Sequence, residues 1–234
     1  MQIQMDNEKV KSNECDKKKV KHQPYYTKGE EIFNYVSHIV GASFGIFSLT
    51  FCFIYFRNSL TGAKIASIII YSISILLLYL MSTLYHALRG TAKRVFRRFD
   101  HLTIYILIAG SYTPYCLVAL EGQTIGWVIF GIVWGISILG IIFNATMLNN
   151  RVVAILSYIS YVIIGWIAIV ATKQLIASLT VPGFVLLLLG GVAYSVGIIF
   201  FSLGTKKKWF HSIWHLWCLA GTLLQFLSIV LYVF

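Results

Sequence analysis

Val152–Thr172 reads VVAILSYISYVIIGWIAIVAT, and after Lys173 and Gln174 the chain continues from Leu175 to Gly204 as LIASLTVPGFVLLLLGGVAYSVGIIFFSLG. Neither stretch contains a charged residue. A helix rises ~1.5 Å per residue, so ~20 apolar residues cross the ~30 Å hydrocarbon core of a bilayer. Each stretch suffices for one crossing. Ile65–Leu80 is equally apolar, bounded by Lys64 and His86. Across the chain 58% of the residues are hydrophobic and 12% are charged, against ~25% charged in a typical soluble domain. A soluble core of 234 residues has no room for that much apolar surface.

These runs predict an all-α integral membrane protein, a bundle with transmembrane spans at about 32–56, 65–88, 100–119, 124–143, 152–172, 180–203 and 211–233. The seven spans form one domain, 29–234. Glu121, Gly122 and Gln123 divide what would otherwise be one long segment from 100 to 143. Pro114 and Pro182 read as kinks or caps, and the in-span glycines as sites of close helix packing. Residues 1–28 are polar and lysine-rich, and read as a disordered cytosolic tail rather than a signal peptide.

Charge gives an orientation. With the tail inside, the inner segments hold seven Lys or Arg in the tail, five between spans two and three, one between four and five and three between six and seven. The outer segments keep only Arg57, Lys64 and Lys173. This bias places the N-terminus in the cytosol and the C-terminus outside. The net charge of +11 therefore suits anionic lipid headgroups, and no nucleic-acid partner is expected. Membrane lipids, including an acyl-lipid substrate, are the expected partners, and the cell membrane the expected location. Cys15, Cys52, Cys116 and Cys218 lie far apart, which argues against both a disulfide framework and a thiolate metal site.

Ionisable residues inside membrane segments are costly and usually functional. His86 ends span two on the predicted inner side, Asp100 and His101 begin span three there, and His211 and His215 begin span seven. Glu30, Glu31 and His38 flank or enter span one on that side, and Glu31 and His38 are assigned only to an inner-face polar network. His211 and His215 are four apart, as are Ser82 and His86, so each pair shares a helix face. Three neutral imidazoles with one open position make a catalytic zinc arrangement, and His86, His211 and His215 can supply them. Asp100 is the nearest carboxylate for holding or deprotonating a water. The blander readings are helix packing or lipid headgroups for the histidines, a bond to its own preceding turn for Ser82, and a helix N-terminal charge beside Arg97 and Arg98 for Asp100. Ser212 follows His211, so the HExxH protease motif is absent, and no phosphate-binding loop, dinucleotide fingerprint or nucleophile elbow occurs.

Ser82, Leu84, Tyr85 and His86 are followed by Phe99–Asp100–His101 and by Leu107–Pro114, LIAGSYTP. Gly29–Glu30–Glu31 with Asn34 and His38 precede them, and His211–Ser212–Ile213–Trp214–His215 with Leu219 and Gly221 follow. Taken in order, these motifs resemble the hemolysin III family of bacterial membrane proteins, which is similar to the progestin and adiponectin receptors. The resemblance implies seven helices with the N-terminus inside and a zinc ion near the cytosolic face. It implies His86, His211 and His215 as ligands, with Asp100 approaching the metal through water and Ser82 hydrogen-bonding nearby. The wider group includes alkaline ceramidases, which implies hydrolysis of lipid amides. Gln225 stands where family members commonly carry a further histidine. Three functions are thus in view: a zinc-dependent hydrolase of acyl lipids, a cytolysin that permeabilises membranes, and a receptor-like regulator with structural zinc.

Overall fold

A computed structural model describes residues 26–147, 150–204 and 206–234. The predicted tail lies outside the described residues up to Tyr25, as does Asn149. The described chain is all-α. Its helices are α1 (Lys28–Tyr55), α2 (Gly62–Ala87), α3 (Gly90–Pro114, continued by a π turn at Tyr115–Ala119), α4 (Thr124–Met147), α5 (Arg151–Gly165, followed by a 3-10 turn at Ile167–Ala171), α6 (Thr172–Leu203) and α7 (Phe210–Tyr232). Six segments are long and apolar enough to cross a membrane, one of them the 52-residue stretch Val152–Leu203. Large apolar side chains such as Val40, Ile54, Ile163 and Val170 stand exposed on the outside. Hydroxyls, imidazoles and amides are buried within. This is the distribution a hydrocarbon solvent selects.

Local chemistry sets the helix starts. The Thr27 hydroxyl accepts from the Glu30 amide while the Glu30 carboxylate accepts from the Thr27 amide, a reciprocal cap on α1. Thr61 caps α2 through the Lys64 amide, and Asn150 caps α5 through the Val152 amide. The third span differs from the sequence expectation. Its helix begins at Gly90, ten residues before the predicted start, so the basic connection Arg89–Phe99 is helical almost throughout. Ala, Lys and Arg favour helix, and nothing between Thr91 and Phe99 breaks it.

The 52-residue stretch is broken twice. At Gly165 the α-helix gives way to the 3-10 turn, and the Tyr112 hydroxyl takes up the freed backbone groups, donating to the Gly165 carbonyl and accepting from the Ala168 amide. At Thr180 the backbone turns left-handed (φ 60°), two residues before Pro182. Contacts across the stretch pair residues in reversed order. The Tyr158 ring lies 5.9 Å from Phe201, and the Trp166 indole donates to the Ser195 hydroxyl at 3.0 Å.

Small residues and buried polar pairs bring the helices together. Gly110 of α3 lies directly against Ser74 of α2, and Gly140 of α4 against the Tyr105 ring of α3, so a Cβ at either would collide. Asn144 donates to Ser157 at 2.7 Å, joining α4 to α5. The Thr222 hydroxyl joins Tyr79 and Tyr194. At one end of the bundle Lys64 donates to the Phe234 carbonyl at 2.6 Å, which sets the start of α2 beside the end of α7. The opposite end gathers the start of α1, the end of α2, and the starts of α3 and α7.

Candidate metal centre

That end carries the histidines. His86 lies in the last turn of α2, and His211 and His215 in the first two turns of α7. The start of α7 is fixed by Trp209, whose backbone is left-handed (φ 65°) and whose amide donates to the Glu30 carboxylate at 2.6 Å. A left-handed residue with a side chain costs roughly 1–2 kcal/mol, and this charge-assisted bond offsets it. Glu30 thus caps α1 and also anchors the turn that aims His211.

The three imidazoles converge through one kind of atom. His211 Nε2 lies 3.2 Å from His86 Nε2 and 3.1 Å from His215 Nε2. All three residues are buried. The outer nitrogens decide the protonation. His86 Nδ1 lies 2.6 Å from Glu31 Oε2, and an ionised carboxylate only accepts, so Nδ1 carries the hydrogen. The Asn34 amide nitrogen, 3.5 Å from the same Nδ1, is too remote to compete. His215 Nδ1 lies 3.2 Å from the Asn34 carbonyl, which also only accepts. With the hydrogen at Nδ1, His86 and His215 can each turn an Nε2 lone pair toward the cluster. His211 can offer a single N–H to two such lone pairs, which leaves one contact unsatisfied. A cation among the three nitrogens removes the conflict, so the cluster can hold a metal ion.

The surroundings hold the ligands as outer partners commonly do in metal sites. Glu31 bonds His86 with one oxygen and Lys93 with the other, at 2.7 Å. Ser212 donates to the Asn34 side-chain oxygen at 2.7 Å, tying α7 to α1. Tyr26 stacks on His211 at 4.7 Å and covers the cluster from the end of the bundle. His38 lies flat against His215, ring centres 3.6 Å apart.

A cavity of about 120 Å³ opens beside the cluster. Its polar pole is lined by His38, Ser82, Asp100, His101, His211 and His215. The rest is mainly apolar or aromatic and includes Leu107, Ile108, Tyr158, Val162, Trp166 and Ile198, with Gln225 also in the wall. The Asp100 side chain is 16% exposed and sits 3.6 Å from His101 Nδ1. Asp100 and Ser82 thus line the same cavity as His211 and His215, but only His86, His211 and His215 form the close ligand set. The sequence reading left Glu31, Asn34 and His38 without individual roles. Their spacing on α1, three and then four residues apart, puts them on one helix face, and that face meets the cluster.

The chain has relatives among known proteins. A sequence model of the family described as "Haemolysin-III related" matches residues 26–226. The protein described as "Hemolysin-3" from Bacillus cereus is 41% identical over 205 residues, covering 87% of this chain and 92% of that protein. The "Hemolysin-3 homolog" of Bacillus subtilis (strain 168) is 39% identical over 208 residues, covering 88% of this chain and 96% of that protein. With its membrane helices and its histidine cluster, the chain belongs to the haemolysin-III-related family of multi-pass membrane proteins.

Proposed function

We propose that this protein is a zinc-dependent hydrolase of acyl lipids in the cell membrane, with an amide as the favoured bond. One observation carries the reading: three imidazoles converge beside a mainly apolar cavity whose polar end also holds the Asp100 carboxylate. Zinc suits the donor set. Tetrahedral zinc with Zn–N of about 2.0–2.1 Å needs nitrogens ~3.3–3.4 Å apart, close to the observed 3.1 and 3.2 Å. Three protein ligands leave a position open, as in catalytic rather than structural sites. A bound zinc ion supplies Lewis-acid polarisation and acidifies water.

The chain's own groups supply the rest. An acyl chain lies along Leu107, Ile108 and Ile198, entering beside Tyr158 and Val162, which are 40% and 45% exposed on the lipid side. The reacting carbonyl then meets the polar pole. Asp100 takes a proton at its carboxylate oxygen from the attacking water and returns it to the leaving nitrogen. The Ser82 hydroxyl donates to the carbonyl oxygen as charge develops there. The aromatic walls exclude bulk water, which strengthens both interactions.

The same reading includes seven crossings with the N-terminus in the cytosol. The reversed pairing of Tyr158 with Phe201 and of Trp166 with Ser195 supports two crossings within Val152–Leu203, because 52 residues of helix would reach about 78 Å. The gathering of Lys93, Arg94, Arg97, Arg98 and Lys206–Lys208 at the histidine end supports an inner position for it. A second reading, a cytolysin, is favoured by the relatives' name. A regulator with structural zinc would instead need a fourth protein ligand.

Purified protein in lipid nanodiscs is expected to release dodecanoate from N-methyldodecanamide, with loss of release on chelation and recovery on adding zinc. Leakage of a trapped dye from liposomes without release of fatty acid would favour the cytolysin. Neither leakage nor release, with zinc retained, would favour the regulator.

A further inference from the structure

His38 is a buried, unpaired feature of the same cavity. It is 3% exposed, and neither ring nitrogen has a hydrogen-bond partner among the described residues. Its faces are fully used. One lies on His215 at 3.6 Å, and the Tyr79 ring meets it edge to face at 4.8 Å. Packing this tight fixes the ring, so the nitrogens cannot swing out to find partners. A buried polar group is normally satisfied, and leaving one unpaired is costly. A neutral imidazole carries one N–H that must go somewhere. The neighbouring hydroxyls pair elsewhere, Ser37 donating to the Asn34 carbonyl and Tyr79 pairing with Thr222, and neither Ser82 nor Asp100 in the cavity wall makes a hydrogen bond with either ring nitrogen. His38 also lines the cavity, beside Ser82, Asp100 and His215. The partner its N–H lacks is therefore to be found in the cavity's occupant.

We propose that His38 holds the carbonyl of a long-chain amide in this cavity by donating a hydrogen bond to its oxygen. The proposal rests on the acyl-amide reading for the choice of ligand. It needs no change of protonation and no bond-making at His38, so the residue is a positioning and specificity group. A carbonyl oxygen has two lone pairs, so the bond from His38 is compatible with the one from Ser82. Stacking on His215 couples the anchor to the metal cluster, so the same contact that recognises a carbonyl also registers it against the ligands. An aliphatic chain without a carbonyl would fill the apolar part of the cavity but leave the His38 N–H unpaired.

The test compares binding of N-methyldodecanamide and of tridecane, counted on the intact protein by native mass spectrometry, for the parent, His38→Phe and His38→Gln. Zinc per chain is measured on the same samples. The parent is expected to bind the amide about tenfold more tightly than the hydrocarbon. His38→Phe loses that preference while holding tridecane and zinc as the parent does. His38→Gln, which keeps an N–H donor, retains most of it. If the amide is hydrolysed, His38→Phe is expected to raise KM about tenfold with a smaller change in kcat. The proposal is overturned if the parent shows no preference for the amide, if His38→Phe keeps that preference, or if His38→Phe sheds zinc, which would make the ring a packing support for His215. Preference for the amide through His38 without any hydrolysis would leave this proposal standing and remove only the enzymatic one.

Discussion

Asp100→Asn is expected to slow acyl-amide hydrolysis by roughly 10²–10⁴-fold, the usual contribution of a positioned general base or acid. The reason is specific to the site. Asp100 sits at the first turn to enter the cavity on α3, with a side chain 16% exposed and His101 3.6 Å away. Asparagine keeps the shape and the hydrogen-bonding reach but cannot take a proton. The histidine cluster does not use Asp100 as a close ligand, so zinc content should stay near that of the parent. Steady-state rates and metal analysis on one preparation check both halves. A variant that hydrolyses at the parental rate would show that the proton goes elsewhere. One that loses zinc would make Asp100 part of the metal's support.

Glu31→Ala is expected to weaken zinc binding about 10–100-fold, the range typical of lost outer partners. Glu31 holds the His86 ring by its Nδ1 hydrogen at 2.6 Å, and this contact sets the Nε2 lone pair toward the cluster. Without the carboxylate, His86 is free to exchange tautomers and Lys93 loses its partner at 2.7 Å. Glu31→Gln should fall between, because its amide oxygen still accepts but without charge. Competition against a fluorescent zinc chelator reads the affinity without relying on turnover. Unchanged affinity in Glu31→Ala would mean that packing by Tyr26 and Tyr85 orients His86 unaided.

Much of the bundle is legible in the sequence because lipid enforces it. Val152–Thr172 and Leu175–Gly204 can hardly be anything but membrane helix. The start of α3 was not legible for a related reason. Charges at Lys93, Arg94, Arg97 and Arg98 read as a linker when hydropathy is the guide, yet a helix carries them readily at the membrane surface. The turn at Thr180 also escapes composition, since Thr180–Val181–Pro182 differs little from the apolar residues around it.

The site divides in the same way. His211 and His215 are one turn apart, and His86 is at matching predicted depth, so their convergence could be argued in advance. The contacts of Glu31, Asn34 and His38 depend on how α1 is rotated against α2 and α7. That rotation is set by three-dimensional packing, including the close approach of Gly41 to the Tyr79 ring. Gln225 lines the cavity although it follows His215 by about fifteen ångströms of helix. The position at which the family resemblance implies a further histidine is thus a wall residue of the same chamber.

In the proposed centre, α2 and α7 bring three histidines to one zinc ion. Metal content of the detergent-purified protein, beside His86→Ala, His211→Ala and His215→Ala, tests it most directly. The expected result is about one zinc per chain in the parent and far less in each variant, since three ligands with one open position is the minimal catalytic set. A parent without metal, or variants that keep it, would contradict the three-histidine centre and with it the hydrolytic mechanism.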